Sequence, residues 1–282
     1  MEGCSNAPPL SRNLRFWALW IFSLAVFRAP LASLVSLALR DERYFYILLV
    51  PFISGFLIWL RRDVIAGNAQ YCLRYGIPLL LGALLLELVA ARQLSGSILA
   101  MVVAWAAIGV CCFGIGVLKI AMFPLAFLCL MIPLSPSMMH EAVVVVQNLS
   151  ASITAVLFKG IGLPFSRDGF RFSLSTADIE IGEECSGIRS TFSFFICGIL
   201  ASHIFLRRGW TRISFALLTI PVVVFKNAVR IATIAWLGVN VDSDFFTGSL
   251  HRYGGLPFLP VVIALLIPIL LVLLNAERRR LE

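Results

Sequence analysis

The sequence predicts an all-α integral membrane protein of about eight transmembrane helices, with one interfacial helix and a short extracytoplasmic β-hairpin. Three observations carry that expectation. Of 282 residues, 60% are hydrophobic and 13% charged, with a mean hydropathy of +0.95, against the roughly 25% charged of soluble domains. Apolar runs recur from Phe16 to Leu274 at about 17 to 25 residues each, the length that crosses a hydrocarbon layer of about 30 Å as helix. The arginines cluster beside those runs, at Arg61-Arg62, Arg207-Arg208 and Arg278-Arg279-Arg280, as topology signals do. The formal charge of +8 therefore points to lipid headgroups. No polar domain presents the basic, aromatic-interleaved patch that nucleic acid would need.

Taken in order, the spans fall near Phe16–Leu39, Tyr44–Leu60, Gly76–Ala91, Ser97–Leu118, Ile120–Leu134, Arg189–Leu206, Ile213–Val239 and Leu256–Asn275. They form a single polytopic domain over residues 1–282, with no internal repeat. No small-residue cleavage site follows a short apolar region at the N-terminus, so Phe16 onward reads as a spanning helix rather than a removable signal peptide. Glu141–Gly162 is apolar but interrupted by Gln147, Asn148, Ser150, Ser152, Thr154 and Lys159. That pattern fits an amphipathic helix in the interface. Between Leu163 and Glu184 the stretch FRFSLSTADIEI alternates with a period of two around a Ser-Thr turn signal, a hairpin pattern.

Topology follows from the basic clusters. With Arg278-Arg279-Arg280 and Arg207-Arg208 cytoplasmic, Cys185 and His251 fall outside. Counting back through an interfacial Glu141–Gly162 puts Arg12, Arg15, Arg61, Arg62 and Lys119 inside, and Arg40, Arg43 and Arg92 outside.

Seven cysteines occur, without a CxxC pair or histidines at metal spacing, so neither zinc nor a disulfide framework is indicated. GxxxxGK[ST], HExxH and GxSxG are absent, and no cofactor is expected. Cys185 stands apart, in EECSGIRS, where the polar loop meets a helix N-terminus whose partial positive charge favours thiolate. Glu184 and the Ser186-Gly187 turn flank it, and Arg189 follows one turn later. The plain alternative is a small apolar residue, which suffices for the other six cysteines; Cys111-Cys112 reads as helix packing. In KNAVRIA, Lys226, Asn227 and Arg230 share one helical face, and cations within a span are functional candidates by default. Arg230 otherwise snorkels to lipid phosphates. His251, in GSLHRYGG, is one of three histidines and can move a proton near neutral pH; a lone loop histidine is usually just solvated. Together a thiol, a guanidinium and an imidazole on one side supply nucleophile, oxyanion stabiliser and acid/base for a thioester mechanism. Deeper in the membrane, Arg28 and Glu87 fall at similar depth and are expected to pair.

The ordered series IPLSP, CSGIRS, NAVRIA after a proline-containing span, and a histidine before a glycine-bearing last span resembles the exosortase and archaeosortase family of membrane cysteine transpeptidases. The resemblance covers roughly Met131–Ala276. It implies catalytic roles for Cys185, Arg230 and His251; by their position beside these, Lys226, Asn227, Glu184, Ser186, Gly187 and Arg189 are the substrate-binding or supporting candidates. It also implies a substrate class, exported proteins whose C-terminal sorting signal joins a short motif, a hydrophobic helix and a basic tail. One departure stands in the N-terminal half: many bacterial members carry Ser-His-Gly before the second span, and DERYFYILLVPFISG has no histidine there. Two other readings compete. One is an acyl or glycan transferase using Cys185 as carrier. The other is a transporter or scaffold binding an anionic ligand at Arg230, against which stands the gathering of polar groups at one surface rather than in paired repeats near midplane.

Overall fold

The computed structural model describes residues 4–5, 9–67, 71–183, 187–246, 255 and 257–279. Among them, seven helices are long and apolar enough to cross a membrane, or eight if one pair bent by 70° counts as a span. The chain forms two compact units, Met1–Ser135 and Pro136–Glu282.

The first unit begins with a two-residue strand, β1 (Cys4–Ser5), paired antiparallel to β2 (Tyr71–Cys72). The bent pair is α1 (Pro9–Val26) and α2 (Arg28–Arg40). A 3-10 turn, Glu42–Leu48, leads into α3 (Val50–Leu60), and the short α4 (Arg62–Gly67) precedes α5 (Leu73–Ala90) and α6 (Leu94–Phe113). The last two lie against each other where Gly76 meets Cys111. A Cβ at Gly76 would collide with the Cys111 sulfur and backbone, and both cysteines of the Cys111-Cys112 pair are buried. Small residues bring apolar helices into van der Waals contact in this way, since lipid supplies no hydrophobic drive between them.

Two expectations in this unit fail. Ile120–Leu134 is not a span: it breaks into the end of α7 (Gly116–Ile120), α8 (Met122–Leu128) and a 3-10 turn, Cys129–Met131. Ten residues of helix rise only about 15 Å, half the hydrocarbon thickness. The IPLSP segment that follows is extended, and its carbonyls accept protein donors, Ser95 Oγ at 2.8 Å from Pro133 O and Tyr44 Oη at 3.2 Å from Leu134 O. The second failure is the Arg28–Glu87 pair. Arg28 is exposed, and the Glu87 carboxylate instead accepts from Ser97 Oγ at 3.1 Å.

The second unit comprises α9 (Pro136–Gly160), a three-stranded antiparallel sheet in order β3 (Ser166–Asp168), β4 (Arg171–Ser173), β5 (Asp178–Glu180), then α10 (Ile188–Phe205), α11 (Gly209–Asn240) and α12 (Leu259–Arg278). The predicted hairpin is β4–β5, with Arg171 opposite Glu180 and Ser173 opposite Asp178. Phe172 and Ile181 from the sheet pack with Phe158 of α9 and Ile231 and Ala235 of α11 in one apolar cluster. The sheet is thereby seated on the C-terminal turns of both helices.

The interfacial reading of Glu141–Gly162 is overturned by the direction its polar stripe takes. Gln147, Ser150 and Thr154 are buried, whereas Val145, Leu149 and Val156 are exposed. A helix lying on a membrane shows its polar face to water; α9 turns Gln147, Ser150 and Thr154 towards protein, leaves Asn148, Ser152 and Lys159 on the outward side among aliphatic residues, and is long and apolar enough to span. Losing one predicted span and gaining another leaves the count of crossings unchanged.

At one end of this unit, Glu277 of α12 is buried against the α10–α11 turn. Its carboxylate accepts the backbone N–H of Arg207 at 3.1 Å and of Arg208 at 2.8 Å, and the Thr211 hydroxyl. The residue preceding α11 offers no side-chain cap, so this distant carboxylate fills the role, with favourable charge at the helix N-terminus. The contact sets the Arg207-Arg208 turn beside the C-terminal arginine cluster. Glu277→Ala strands these donors and is expected to cost about 1.5–3 kcal/mol, with Glu277→Gln falling between it and wild type. Thermal unfolding of the purified protein in detergent measures this; equal stability of all three would remove the capping role.

Candidate active site

The site is assembled around the N-terminus of α10. Its cap, Gly187, adopts a left-handed backbone conformation (φ 84°, ψ 9°), which glycine enters without steric cost. The Gly187 carbonyl accepts from Thr191 N at 2.9 Å, Thr191 Oγ1 at 3.0 Å and Ser190 Oγ at 2.9 Å, closing the first turn. Space imposes a second demand for glycine here. A Cβ would stand 2.8 Å from Cγ of Asn227, below any ordinary contact. The turn two residues after Cys185 is thus pressed directly onto KNAVRIA of α11.

Lys226 and Asn227 are 2% and 1% exposed. Lys226 Nζ donates to Ser190 Oγ at 3.5 Å, and Asn227 Nδ2 donates to Ser150 Oγ at 3.5 Å. Three helices therefore converge on one polar centre, with α9 contributing Ser150, α10 contributing Gly187 and Ser190, and α11 contributing Lys226 and Asn227. Such groups hydrogen-bond to one another because lipid offers them nothing. Gln147 extends the network to the sheet, Nε2 donating to Ile181 O at 3.0 Å.

Arg230 lies three residues beyond Asn227, hence on the same face and about 4.5 Å further along the axis. It is half-buried and lines a cavity of about 220 Å³ between β5 and α11, together with Ile231, Ile234 and Phe246. Phe246 belongs to a 3-10 turn, Ser243–Phe246, that folds back over the end of α11; a Cβ at Gly238 would run into its ring. Phe246 stands five residues before His251 in the sequence. Across the sheet, Arg171 bonds Asp178 at 2.7 Å. Hydrogen bonds from Ser173 and then Arg171 hold the Asp178 carboxyl below its usual range.

Of the predicted site residues, Gly187, Lys226, Asn227 and Arg230 are brought to one end of the unit. Arg189 is exposed on α10. Glu184, Cys185, Ser186 and His251 lie outside the described residues. Sequence reasoning missed Ser150, Ser190 and Gln147. The signal was present, polar residues at positions 147, 150 and 154 on one face of α9, but it was read as facing water.

A polytopic helical protein with a buried polar centre where the N-terminus of α10 meets α11, and a small sheet seated on α9 and α11 beside it, defines the class. The transmembrane exosortase family model matches residues 38–268, and the chain belongs to that family. The match reaches back well beyond Met131, so the departure before the second span does not exclude the N-terminal half. No curated protein and no solved structure matches the chain.

The Gly187–Asn227 contact yields a sharp expectation. Gly187→Ala meets both backbone strain and overlap and should cost about 1–3 kcal/mol. Combining it with Asn227→Ala should recover the steric part, giving a favourable coupling in a double-mutant cycle read by thermal unfolding. Strict additivity would mean that the two residues do not touch.

Proposed function

We propose that the chain is a membrane-embedded cysteine peptidase and transpeptidase that cleaves C-terminal sorting signals of exported proteins at the extracytoplasmic face of the plasma membrane. The observation that carries the proposal is the packing of Gly187 on Asn227. It joins the segment bearing the cysteine to the helix bearing the arginine, two motifs 40 residues apart in sequence that the α10–α11 hairpin brings face to face.

In the proposed reaction the Cys185 thiolate attacks the scissile carbonyl, and a C–S bond forms as the carbonyl π pair moves to oxygen. Arg230 holds that oxyanion. His251 gives its proton to the departing amine as the C–N bond breaks, leaving a thioester on Cys185. Water or an acceptor amine then attacks the thioester, His251 takes the proton, and the thiolate leaves. Lys226 and Asn227 position the α10 N-terminus, and Glu184, Ser186 and Arg189 support the loop. The helix N-terminus, with Lys226 behind it, favours thiolate over thiol.

Charge supports the proposed side of the membrane. Glu277 links the arginine-bearing end of α12 to the Arg207-Arg208 turn, and the Gly187 turn is at the other end of α10. A positive-inside orientation therefore puts the site outside, where a substrate threaded through the membrane presents its signal and the flanking lipids hold its hydrophobic anchor.

The test is coexpression with reporter proteins from the same genome, each bearing a hydrophobic C-terminal anchor and a basic tail. Wild type should process at least one; Cys185→Ala, Arg230→Ala and His251→Ala should each lose about a hundredfold or more in rate and accumulate the full-length reporter. Normal processing by Cys185→Ala would end the thiol mechanism.

A further inference from the structure

Among the described residues, one edge of the sheet, that of β5, has no backbone partner. In the β4–β5 ladder the hydrogen-bonded pairs are fixed by Leu174 N to Ala177 O and Ile181 N to Phe170 O, both 3.0 Å, and by the register that sets Phe172 opposite Ile179. Antiparallel pairing alternates. The backbone N–H and C=O of Asp178 and Glu180 therefore point away from β4, onto the free edge of β5. Among the described residues no backbone group bonds them. The residues of β5, with Ala177 and Ile181 at its ends, line the 220 Å³ cavity that Arg230 shares.

We infer that this edge binds substrate: an extended segment of the polypeptide beside the cleavage point pairs with β5 as a fourth strand, in the cavity next to Arg230. The inference rests on the peptidase reading above and adds how the substrate is held. Exposed edges are commonly covered or charged against unwanted pairing. Here the edge opens on a cavity smaller than the roughly 300–1,000 Å³ of drug-sized sites, suited to two or three residues of extended chain. Main-chain pairing supplies register without demanding particular side chains, and alternate side chains of the guest turn towards the apolar floor of Ile231, Ile234 and Phe246. Charge agrees with such a guest. Asp178 is already paired with Arg171, which leaves Glu180 and Arg230 as single charges of opposite sign on the cavity wall, a lining that suits an uncharged backbone. The guest would also lie at the level of Arg230, one helical turn from the Asn227–Gly187 contact, which brings its carbonyls towards the cation.

Proline tests this without rebuilding the sheet. Glu180→Pro removes an edge N–H that β4 does not use, and its predecessor Ile179 is already extended, as a residue before proline prefers. Arg167→Pro is the mirror control: it removes the corresponding N–H on the far edge, that of β3, since Ser166 and Asp168 make the β3–β4 bonds. With the processed reporter, Glu180→Pro should slow cleavage by at least about tenfold, and Arg167→Pro should remain within about twofold, at matching thermal stability. Equal rates for Glu180→Pro and wild type, or equal losses in both variants, would overturn the inference while Cys185→Ala still separates active from inactive enzyme. Should Glu180→Pro fail to fold, a proline scan of the reporter decides instead. Losses should alternate every second residue near the cleavage point, and a scan without alternation refutes edge pairing. If wild type processes no reporter, the peptidase reading fails and this inference with it.

Discussion

The second unit depends on the close approach of the first turn of α10 to the middle of α11. Two buried polar side chains, Lys226 and Asn227, lie where hydrocarbon surrounds the protein, and each needs a partner supplied by the chain itself. Ser190 and Ser150 provide them at 3.5 Å, and only a residue without a Cβ lets the backbone come near enough. Gly187 meets this requirement twice, in its left-handed dihedral angles and in the space it leaves for Asn227. Any larger residue would force α10 away from α11 and strand a cation in the membrane.

A second polar fixture sits at the other end of the same helices. Glu277 gathers two backbone N–H groups and the Thr211 hydroxyl, about 22 Å along α11 from Lys226. Apolar helices slide past one another at little cost because one aliphatic contact replaces another. Two polar clamps oppose that freedom: Glu277 ties α12 to the α10–α11 turn, and the Lys226–Ser190 bond holds the first turn of α10 on the middle of α11. Arg230 follows one turn beyond Asn227 on α11, and the Phe246–Gly238 contact fixes the 3-10 turn after that helix.

Hydropathy made most of the fold legible, because membrane helices have one length and one composition. It failed where backbone, not composition, decides. Ile120–Leu134 is apolar enough to span, yet Pro124 and Pro133 withdraw donors and the chain resolves into short helices and an extended segment. In α9 the period of the polar residues was readable but not their direction; a stripe of Gln147, Ser150 and Thr154 satisfies water and protein equally in sequence, and only the exposed Val145, Leu149 and Val156 show which it meets. Arg28 and Glu87 were matched by depth alone, without the rotation of each helix about its axis, and Ser97 took the carboxylate instead. The hairpin was visible through its alternation, whereas β3, with all three residues exposed, carried none. At the site, Arg230, Lys226 and Asn227 were found because charge and amide within a span are costly, a signal that Ser150 and Ser190 lack.

A small sheet in a helical membrane protein calls for a physical reason, since three strands of three residues bury too little to stand alone. It is held by Phe172 and Ile181, sunk into the apolar cluster of α9 and α11, and by the bond from Gln147 to Ile181 O. The sheet thus depends on the helices. What the sheet adds is an oriented row of main-chain donors and acceptors beside a guanidinium, at the end of the unit where both helices carry their polar residues. Helices cannot present such a row, because their own backbone groups are consumed internally. The proposed catalyst acts on polypeptide at a lipid boundary, where a backbone must be held while lipid is excluded, and a strand seated on two helices is suited to that task.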